Sequence, residues 1–172
     1  RRPARNLVIG PELAADLEPR GLKTKYRRNV AAIRLLKQLE AEGRPATPEE
    51  QAVLALFSGW GSLAEPVFGY GYRSEWQAER EEIRQLLTAE ELEAARGSTL
   101  NAHYSSPLEI QTMWQAVLHM GFKGGRVLEP SAGVGHFIGL MPKELRGRTK
   151  VTAIELHSVT GRILRHLYHD HL

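Results

Sequence analysis

The sequence predicts an α/β protein in which a mainly helical N-terminal region, residues 1–100, precedes the first βαβ portion of a parallel sheet, residues 101–172. Apolar residues recur at helical spacing through most of the first hundred residues. Two short apolar runs typical of strands, RVLE and KVTAIE, appear only after residue 125. A glycine-rich loop and a short helical stretch separate them, which is the order of a βαβ unit.

The first region contains two helices whose ends are marked by local signals. Residues 25–43 place Val30, Ile33, Leu36 and Leu39 on one face, and Gly43 ends the pattern. Thr47-Pro48-Glu49-Glu50 then reads as an N-cap, a proline in the first turn and a capping-box acid. We expect that second helix to run to about Phe57.

The stretch from residue 57 to residue 72 is rich in glycine and aromatic residues, and it predicts no regular element. Its aromatic side chains could stack on extruded bases. We prefer a small aromatic core that joins the two regions; its members are Trp60, Phe68, Tyr70, Tyr72 and Trp76. Two further helices are predicted, one from Ser74 to Leu87 and one from Thr88 to Arg96. The second opens with the capping pattern Thr88-x-x-Glu91 and stops at Gly97.

The second region opens with Ser106-Pro107-Leu108-Glu109, another capping signature, and a helix that ends near Gly121. The elements predicted after it are strand 126–129, a helix near 134–141, strand 150–155 and a helix near 159–168. Parallel strands need both faces of their sheet covered, and two strands rarely do this alone. We therefore expect the sequence to be the N-terminal part of a longer protein, truncated after its second strand, or to depend on its helical half.

Composition narrows the class of protein. The chain has 172 residues, a formal net charge of +3 and no cysteine, which excludes disulfides, thiolate zinc sites and cysteine nucleophiles. No apolar run approaches the length that spans a bilayer, so we expect a cytoplasmic protein without membrane contact. Basic residues exceed acidic ones at both ends, which suits contact with nucleic acid, with a solvated surface of uneven charge as an equal alternative. One basic cluster precedes the first long helix and could touch phosphates, with a solvated helix entry as the alternative for each member: Arg20, Lys23, Lys25, Arg27 and Arg28.

The glycine loop, VLEPSAGVGHF over residues 127–137, predicts a nucleotide-like ligand. Gly133 and Gly135 match a dinucleotide motif, but Ile138 stands where its third glycine would be. At the short distances of a pocket, Glu129 would repel a pyrophosphate by about 1 kcal/mol or more. The same carboxylate would attract the ammonium and sulfonium of S-adenosylmethionine. The loop therefore favours S-adenosylmethionine over NAD, and no G-x-x-x-x-G-K-[ST] phosphate loop is present.

Glu155 is predicted to end the second strand. It stands about as many residues after the glycine loop as the carboxylate that accepts hydrogen bonds from ribose hydroxyls in nucleotide-binding folds. That role is shared by NAD and S-adenosylmethionine sites. An ordinary acid at a strand end is the alternative for either glutamate alone. Two such acids at successive strand ends, one of them before a G-x-G loop, favour a ligand.

Three segments together resemble the opening of DNA adenine-N6 methyltransferases of the amino-methylating group: Tyr104-Ser105-Ser106-Pro107 before an amphipathic helix, LEPSAGVGHF, and AIEL. The stretches RNVAAIRLLKQLEAEGRPATPEEQAVLALFSGWGSL and LNAHYSSPLEIQTMW are similar to the N-terminal methylase region of very large plasmid and phage proteins that join a methylase to a helicase. The resemblance covers most of the chain from about residue 25. It implies a Rossmann-like, S-adenosylmethionine-dependent methyltransferase sheet, DNA as partner and a downstream helicase domain.

The resemblance also implies roles for individual residues. Tyr104 and Pro107 would enclose the methionine end of the cofactor, and Glu155 would hold its ribose, with Leu156 beside it. The loop under the methionine moiety would consist of Glu129, Pro130, Ser131, Ala132, Gly133 and Gly135. Phe137 would pack at the exit of the loop. His136, which lies inside the loop, is interpreted as a spacer with a polar tip rather than as a general base.

The catalytic segment of that family, [ND]-P-P-[YF], does not occur in this sequence. In the family it binds the amine of a base that has been flipped out of the duplex. We therefore expect this chain alone to bind cofactor without methylating. A non-catalytic, methylase-like module that binds nucleic acid or a partner is the alternative. The histidines near the C-terminus lack the partners of a metal site, and we predict none there; they are His166, His169 and His171.

Overall fold

The computed structural model describes residues 5–69 and 74–169. In this part of the chain the protein is helix-rich and has one small parallel sheet of two strands. Its α-helices are α1 (Pro11–Asp16), α2 (Leu22–Glu42), α3 (Pro48–Ala55), α4 (Gln77–Leu86), α5 (Ala89–Ser98), α6 (Pro107–His119), α7 (His136–Gly139) and α8 (Ser158–Leu167). The strands are β1 (Gly125–Glu129) and β2 (Thr149–Ala153).

The long helix α2 lies at the centre of the helical region. Its predicted apolar stripe is buried, with Ile33, Leu36 and Leu39 all inaccessible to solvent. The helix begins earlier than predicted, at Leu22, and ends at Gly43, whose φ of 59° is left-handed. Burying the stripe against α3 and α8 is what stabilises a helix of this length.

All three capping boxes predicted from the sequence are confirmed. In each one the N-cap hydroxyl accepts from the backbone N–H three residues on, and the glutamate there accepts from the N-cap N–H; the pairs are Thr47–Glu50, Thr88–Glu91 and Ser106–Glu109. Such a cap contributes about 1 kcal/mol to the helix that it begins. The end predicted for α5 at Gly97 is wrong, because the helix continues to Ser98, whose Oγ donates to Ala95 O at 2.7 Å.

The stretch predicted to be irregular after residue 57 contains two short helices. A 3-10 turn spans Gly61–Leu63 and a π-helix spans Ala64–Phe68, so the prediction was wrong there. Arg80 Nε stabilises the second of these by donating to Pro66 O at 2.8 Å. A further 3-10 turn, Ser74–Trp76, leads into α4.

The aromatic residues of this stretch form a packed cluster. Trp60 contacts Tyr26 and Phe68 edge to face, with ring centroids 6.4 and 5.6 Å apart, and Tyr26 contacts Trp76 at 6.1 Å. Edge-to-face geometry at these distances is favourable for aromatic pairs. Tyr70 and Tyr72, which were predicted to join this core, lie outside the described residues.

The two strands pair in parallel, with Val127 opposite Val151. They end where Glu129 faces Ala153, because Pro130 has no N–H with which to continue the ladder. The strand end predicted at Glu155 is therefore wrong. α7 is also shorter than predicted, since Met141 precedes Pro142 and a residue before proline is disfavoured in a helix.

The helical region and the βαβ region share one core. Buried apolar side chains from both regions form a continuous cluster. Gln51 of α3 donates from Nε2 to His166 O at 3.0 Å, and Arg162 of α8 pairs with Glu40 of α2 and Glu91 of α5 at 3.0 and 2.8 Å. The division of the chain at residue 100 remains a prediction. Within residues 5–69 and 74–169, no helix combines the length and the hydropathy needed to cross a bilayer.

Candidate functional site: a polar cavity beside the glycine loop

The loop that joins β1 to α7 turns sharply and is held by its own backbone. Gly133 and Gly135 have φ values of +56° and +85°, a region that side chains disfavour. Gly135 N donates to Ala132 O at 2.8 Å, and Ala132 N donates to Ile154 O at 2.9 Å. The G-x-G pattern is therefore required by the backbone of the loop itself, before any ligand is considered.

Glu155 holds this loop against the end of the sheet. Its Oε2 accepts from Gly133 N at 2.8 Å, and its Oε1 accepts from His157 N at 2.8 Å. The carboxylate thus bridges the glycine loop and the residue that precedes α8. A carboxylate has about four lone-pair positions, so two hydrogen bonds leave it able to accept others.

The ring of Tyr104 lies between two glycines. A Cβ added at Gly133 would lie 3.3 Å from Tyr104 Cε1, and one added at Gly59 would lie 2.7 Å from Cε2. Burial and the nearby Glu155 carboxylate raise the pKa of Tyr104, and a hydrogen bond with Thr160 acts against them. The phenol is therefore neutral at physiological pH, and the ring covers one side of the glycine loop.

A cavity of about 290 Å³ lies where the glycine loop, Glu155 and Tyr104 meet. The predicted site residues that line it are Tyr104, Pro130, Ser131, Ala132, Gly133, Glu155 and Leu156. Leu156 is 89% exposed, although it is apolar. The carboxyl ends of both strands thus open into one cavity with a carboxylate on its wall.

The structure places the other predicted residues elsewhere. Glu129 lines an apolar groove of about 450 Å³ between α6 and β1, and its Oε1 accepts from Ser131 N at 3.2 Å. Pro107 begins α6 and lines a different polar cavity. Gly135 packs against α8 and the residue after it, because an added Cβ would lie 2.7 Å from Leu164 Cδ1 and 2.4 Å from Tyr168 Cε2.

His136 has a larger structural role than a spacer with a polar tip. It is 7% exposed, its Nε2 lies 2.8 Å from Ala55 O, and its ring contacts the Tyr104 ring edge to face at 5.8 Å. Burial lowers the pKa of His136, and the Ala55 carbonyl opposes that shift. Since a carbonyl only accepts, Nε2 carries the proton, and the neutral ring anchors the loop to the end of α3.

Some residues of the cavity were missed by sequence reasoning. His157 and Thr160 follow the second strand directly, and the start of the helix after a strand could have pointed to them. Asn101 and His103 also line the cavity; they lie within the LNAHYSSPLEIQTMW stretch of the resemblance, but no role was assigned to them. Phe137, expected to pack at the exit of the loop, accepts from Trp114 Nε1 through its carbonyl at 3.0 Å.

The histidines near the C-terminus form no metal site in the described part of the chain. Among residues 5–69 and 74–169, no group of three histidine, aspartate or glutamate side chains could hold an ion. His171 lies outside these residues.

Comparisons with known proteins give one partial similarity. The chain is 34% identical over 83 residues to "Defense against restriction protein B" of Escherichia phage P1. The matched segment covers 48% of this chain but 4% of the phage protein. No family model matches the chain, and no solved structure matches it.

Proposed function

We propose that this chain is the S-adenosylmethionine-binding part of a DNA adenine-N6 methyltransferase, with β1 and β2 as the start of a Rossmann-like sheet. The observation that carries the proposal is the cavity of about 290 Å³ at the carboxyl ends of both strands, lined by a G-x-G loop and Glu155. Ligands of α/β sheets bind outside the carboxyl ends of the strands. The Tyr-Ser-Ser-Pro segment of the resemblance contributes Tyr104 and Ser105 to the same cavity.

The residues of the cavity suit the nucleoside part of the cofactor. The free lone pairs of Glu155 can accept hydrogen bonds from ribose hydroxyls. Leu156 offers an apolar surface beside that carboxylate, suited to a purine ring. The cavity volume of about 290 Å³ lies just below the range of about 300–1,000 Å³ for small-molecule sites. This supports a site for the adenosine moiety, with the methionine end continuing along the loop.

Glu129 has a secondary role in this proposal. Its carboxylate contacts Ser131 N at the edge of the apolar groove. It meets the cofactor ammonium only if the methionine end passes Ser131 and reaches that edge. We therefore expect substitutions at Glu155 to weaken binding more than substitutions at Glu129.

The bound cofactor supplies an electrophilic methyl group on its sulfonium. The residues of this chain bind and orient it: Glu155 fixes the ribose, the loop supports the chain of the methionine, and the Tyr104 ring excludes water from one side. The family segment that binds the target amine is absent from this sequence, so we expect no methylation by the chain alone. In the complete protein the target would be an adenine amine.

Two observations support DNA as the proposed partner. The name of the similar phage protein concerns restriction, a process directed at DNA. The methylase–helicase resemblance points the same way, and a downstream helicase domain is part of the same proposal. This chain spans only a small fraction of that phage protein, so the activity of the whole phage protein is attributed to this chain only as a proposal.

Calorimetric titration with S-adenosylmethionine tests the proposal, with NAD as the competing cofactor. We expect saturable binding of S-adenosylmethionine and none of NAD. Glu155→Gln removes the charge at constant size, and a lost hydrogen bond to a charged group costs about 1.5–3 kcal/mol, so binding should weaken roughly tenfold or more. Leu156→Ala should weaken it severalfold. Leu108→Ala is the matched control, because Leu108 is also exposed, at 73%, and lies outside the cavity.

A second candidate function is a methylase-like module that binds DNA or a partner without cofactor. The contact between the Tyr104 ring and Gly133 favours it, because the ring closes that side of Gly133 to a ligand. A well-folded chain that binds DNA but neither cofactor would support this candidate and contradict the first.

A further inference from the structure

Strand β1 pairs with β2 along one edge only, and its other edge is free in the described part of the chain. Gly125 N donates to Arg148 O, and Glu129 O accepts from Ile154 N, both at 2.8 Å, so these peptide groups point toward β2. Successive peptide groups of a strand point to opposite edges, which directs those of residues 126 and 128 away from β2. A free edge of this kind is a template for pairing with a further strand.

One face of the sheet beside β1 carries the apolar groove of about 450 Å³. Val127 and Val151 contribute to its floor, and all three methionines of the sequence line it. Two of them, Met113 and Met120, are 53% and 77% exposed. Methionine is flexible and adapts to the shape of what packs against it. Side chains of a strand added beside β1 would enter this groove at every second position.

The opposite face of the sheet has two cations side by side. Arg126 lies directly opposite Lys150 in the strand register, and both are exposed. Among the described residues, neither forms an ion pair. Like charges directly opposite each other are unfavourable, so this face lacks an acidic neighbour. Leu128 lies on the same face, next along β1, and is 62% exposed.

We propose that the free edge of β1 binds an extended polypeptide segment from outside these 172 residues, by strand addition. The alternation of side chains fixes the chemistry of that segment: an acidic residue beside Arg126, a large apolar residue beside Val127 and an apolar residue beside Leu128. The backbone of residues 126 and 128 supplies the hydrogen bonds. A helix lying in the groove would leave the free edge unpaired and the cations unmatched.

The proposal does not depend on cofactor binding. Glu155 and Leu156, on which the proposed cofactor site rests, line the polar cavity and not the apolar groove. Failure of S-adenosylmethionine to bind would therefore leave this inference standing, and failure of strand addition would leave the cofactor proposal standing.

Amide hydrogen exchange of the full chain, followed by NMR with the capped peptide TEIVIT as probe, tests strand addition. We expect the amides of Arg126 and Leu128 to gain protection, while that of Val127 changes little because its N–H already points to β2. Binding without protection at Arg126 and Leu128 would overturn the proposal. Changes confined to Met113 and Met120 would overturn it as well, and would assign the groove to a helix or an apolar small molecule.

The acidic position is tested by reversing charges. The peptide TKIVIT should bind about two- to fivefold more weakly than TEIVIT, and Arg126→Glu should reverse that preference. Arg84→Glu is the matched control, because Arg84 is an exposed arginine on α4, outside the groove. If Arg126→Glu still preferred TEIVIT, the acidic complement would be wrong.

The edge itself is tested at Leu128. Leu128→Pro removes an N–H that the pairing with β2 does not use, so it should abolish peptide binding while the protein stays folded. Leu128→Ala keeps that N–H and is the matched control, which should still bind. Equal affinity in Leu128→Pro, measured on a folded variant, would contradict strand addition; the Arg126 variant decides the question if Leu128→Pro does not fold. Protection of the same amides by self-association, seen without peptide at rising protein concentration, would instead assign the edge to a second copy and overturn the proposed occupant.

Discussion

Replacing Asn29 by alanine should destabilise the protein and disturb the candidate site together. Asn29 is inaccessible to solvent on α2; its Nδ2 donates to Gly59 O at 2.7 Å, and its Oδ1 accepts from Ser58 N at 3.0 Å. Alanine leaves both backbone groups without a partner inside the protein. Each buried group left unsatisfied costs about 1–3 kcal/mol, so the free energy of unfolding should fall by about 2–6 kcal/mol.

Urea unfolding measures this change. With a slope of about 2 kcal/mol per molar, the midpoint should fall by roughly 1–3 M. Gln38→Ala is the matched control on the same helix, because the Gln38 amide is exposed and donates to Glu42, one turn along α2. The effect should stay within about 0.5 kcal/mol. Equal midpoints for Asn29→Ala and the wild type would refute the argument, since the two backbone groups would then have found other partners.

The same substitution carries a second readout at the site. Asn29 positions Gly59, and Gly59 lies against the Tyr104 ring that covers the glycine loop. We therefore expect Asn29→Ala to weaken S-adenosylmethionine binding at temperatures where the protein is still folded. Gln38→Ala should leave that affinity unchanged.

Three further predictions concern pH, the glycines and the division of the chain. Burial lowers the pKa of His136 and of His166 in the folded state, so the unfolded chain binds more protons below about pH 6.5. The free energy of unfolding should therefore fall as the pH drops through that range. His136→Gln should flatten this pH dependence, and a profile identical to that of the wild type would contradict the argument. Gly135→Ala should lower the free energy of unfolding by well over 1 kcal/mol, because Gly135 combines a φ of +85° with contact to Tyr168. Gly147→Ala should lower it by about 1 kcal/mol from its φ of +76° alone, and Gly97→Ala, in a helix with open space around it, should raise it by about 0.5–1 kcal/mol. Thermal unfolding ranks the three variants, and a different order would overturn the packing argument. Residues 101–172 expressed alone should not fold, since their core is completed by α2 and α3, and a cooperative unfolding transition of that fragment would contradict this.

Local features of this protein could be read from the sequence because their causes lie within a few residues. The capping box of Thr47 and Glu50 involves positions three apart, and the buried stripe of α2 follows from helical spacing. The loop at Gly133 and Gly135 follows from a glycine pattern after a strand. These inferences identified the strands, most helices and the loop.

The predicted ends of helices and strands were wrong where residues distant in sequence but close in space determine the end. β2 stops at Ala153 because its partner strand meets Pro130, a residue far away in sequence. α5 continues through Gly97, a residue that the pattern treated as a stop. The π-helix over Ala64–Phe68 has no sequence signal, and the carbonyl of Pro66 is satisfied by Arg80 from α4.

By itself the sequence determined the helix caps, the order of helices and strands, and the glycine loop with its two flanking carboxylates. Only the tertiary structure decided what these parts face. It placed Glu155 on the polar cavity and Glu129 on the apolar groove, and it packed Tyr104 between Gly59 and Gly133. The physical reason is that these contacts join residues tens of positions apart, so they depend on how helices pack around a shared core, which spacing along the chain does not encode.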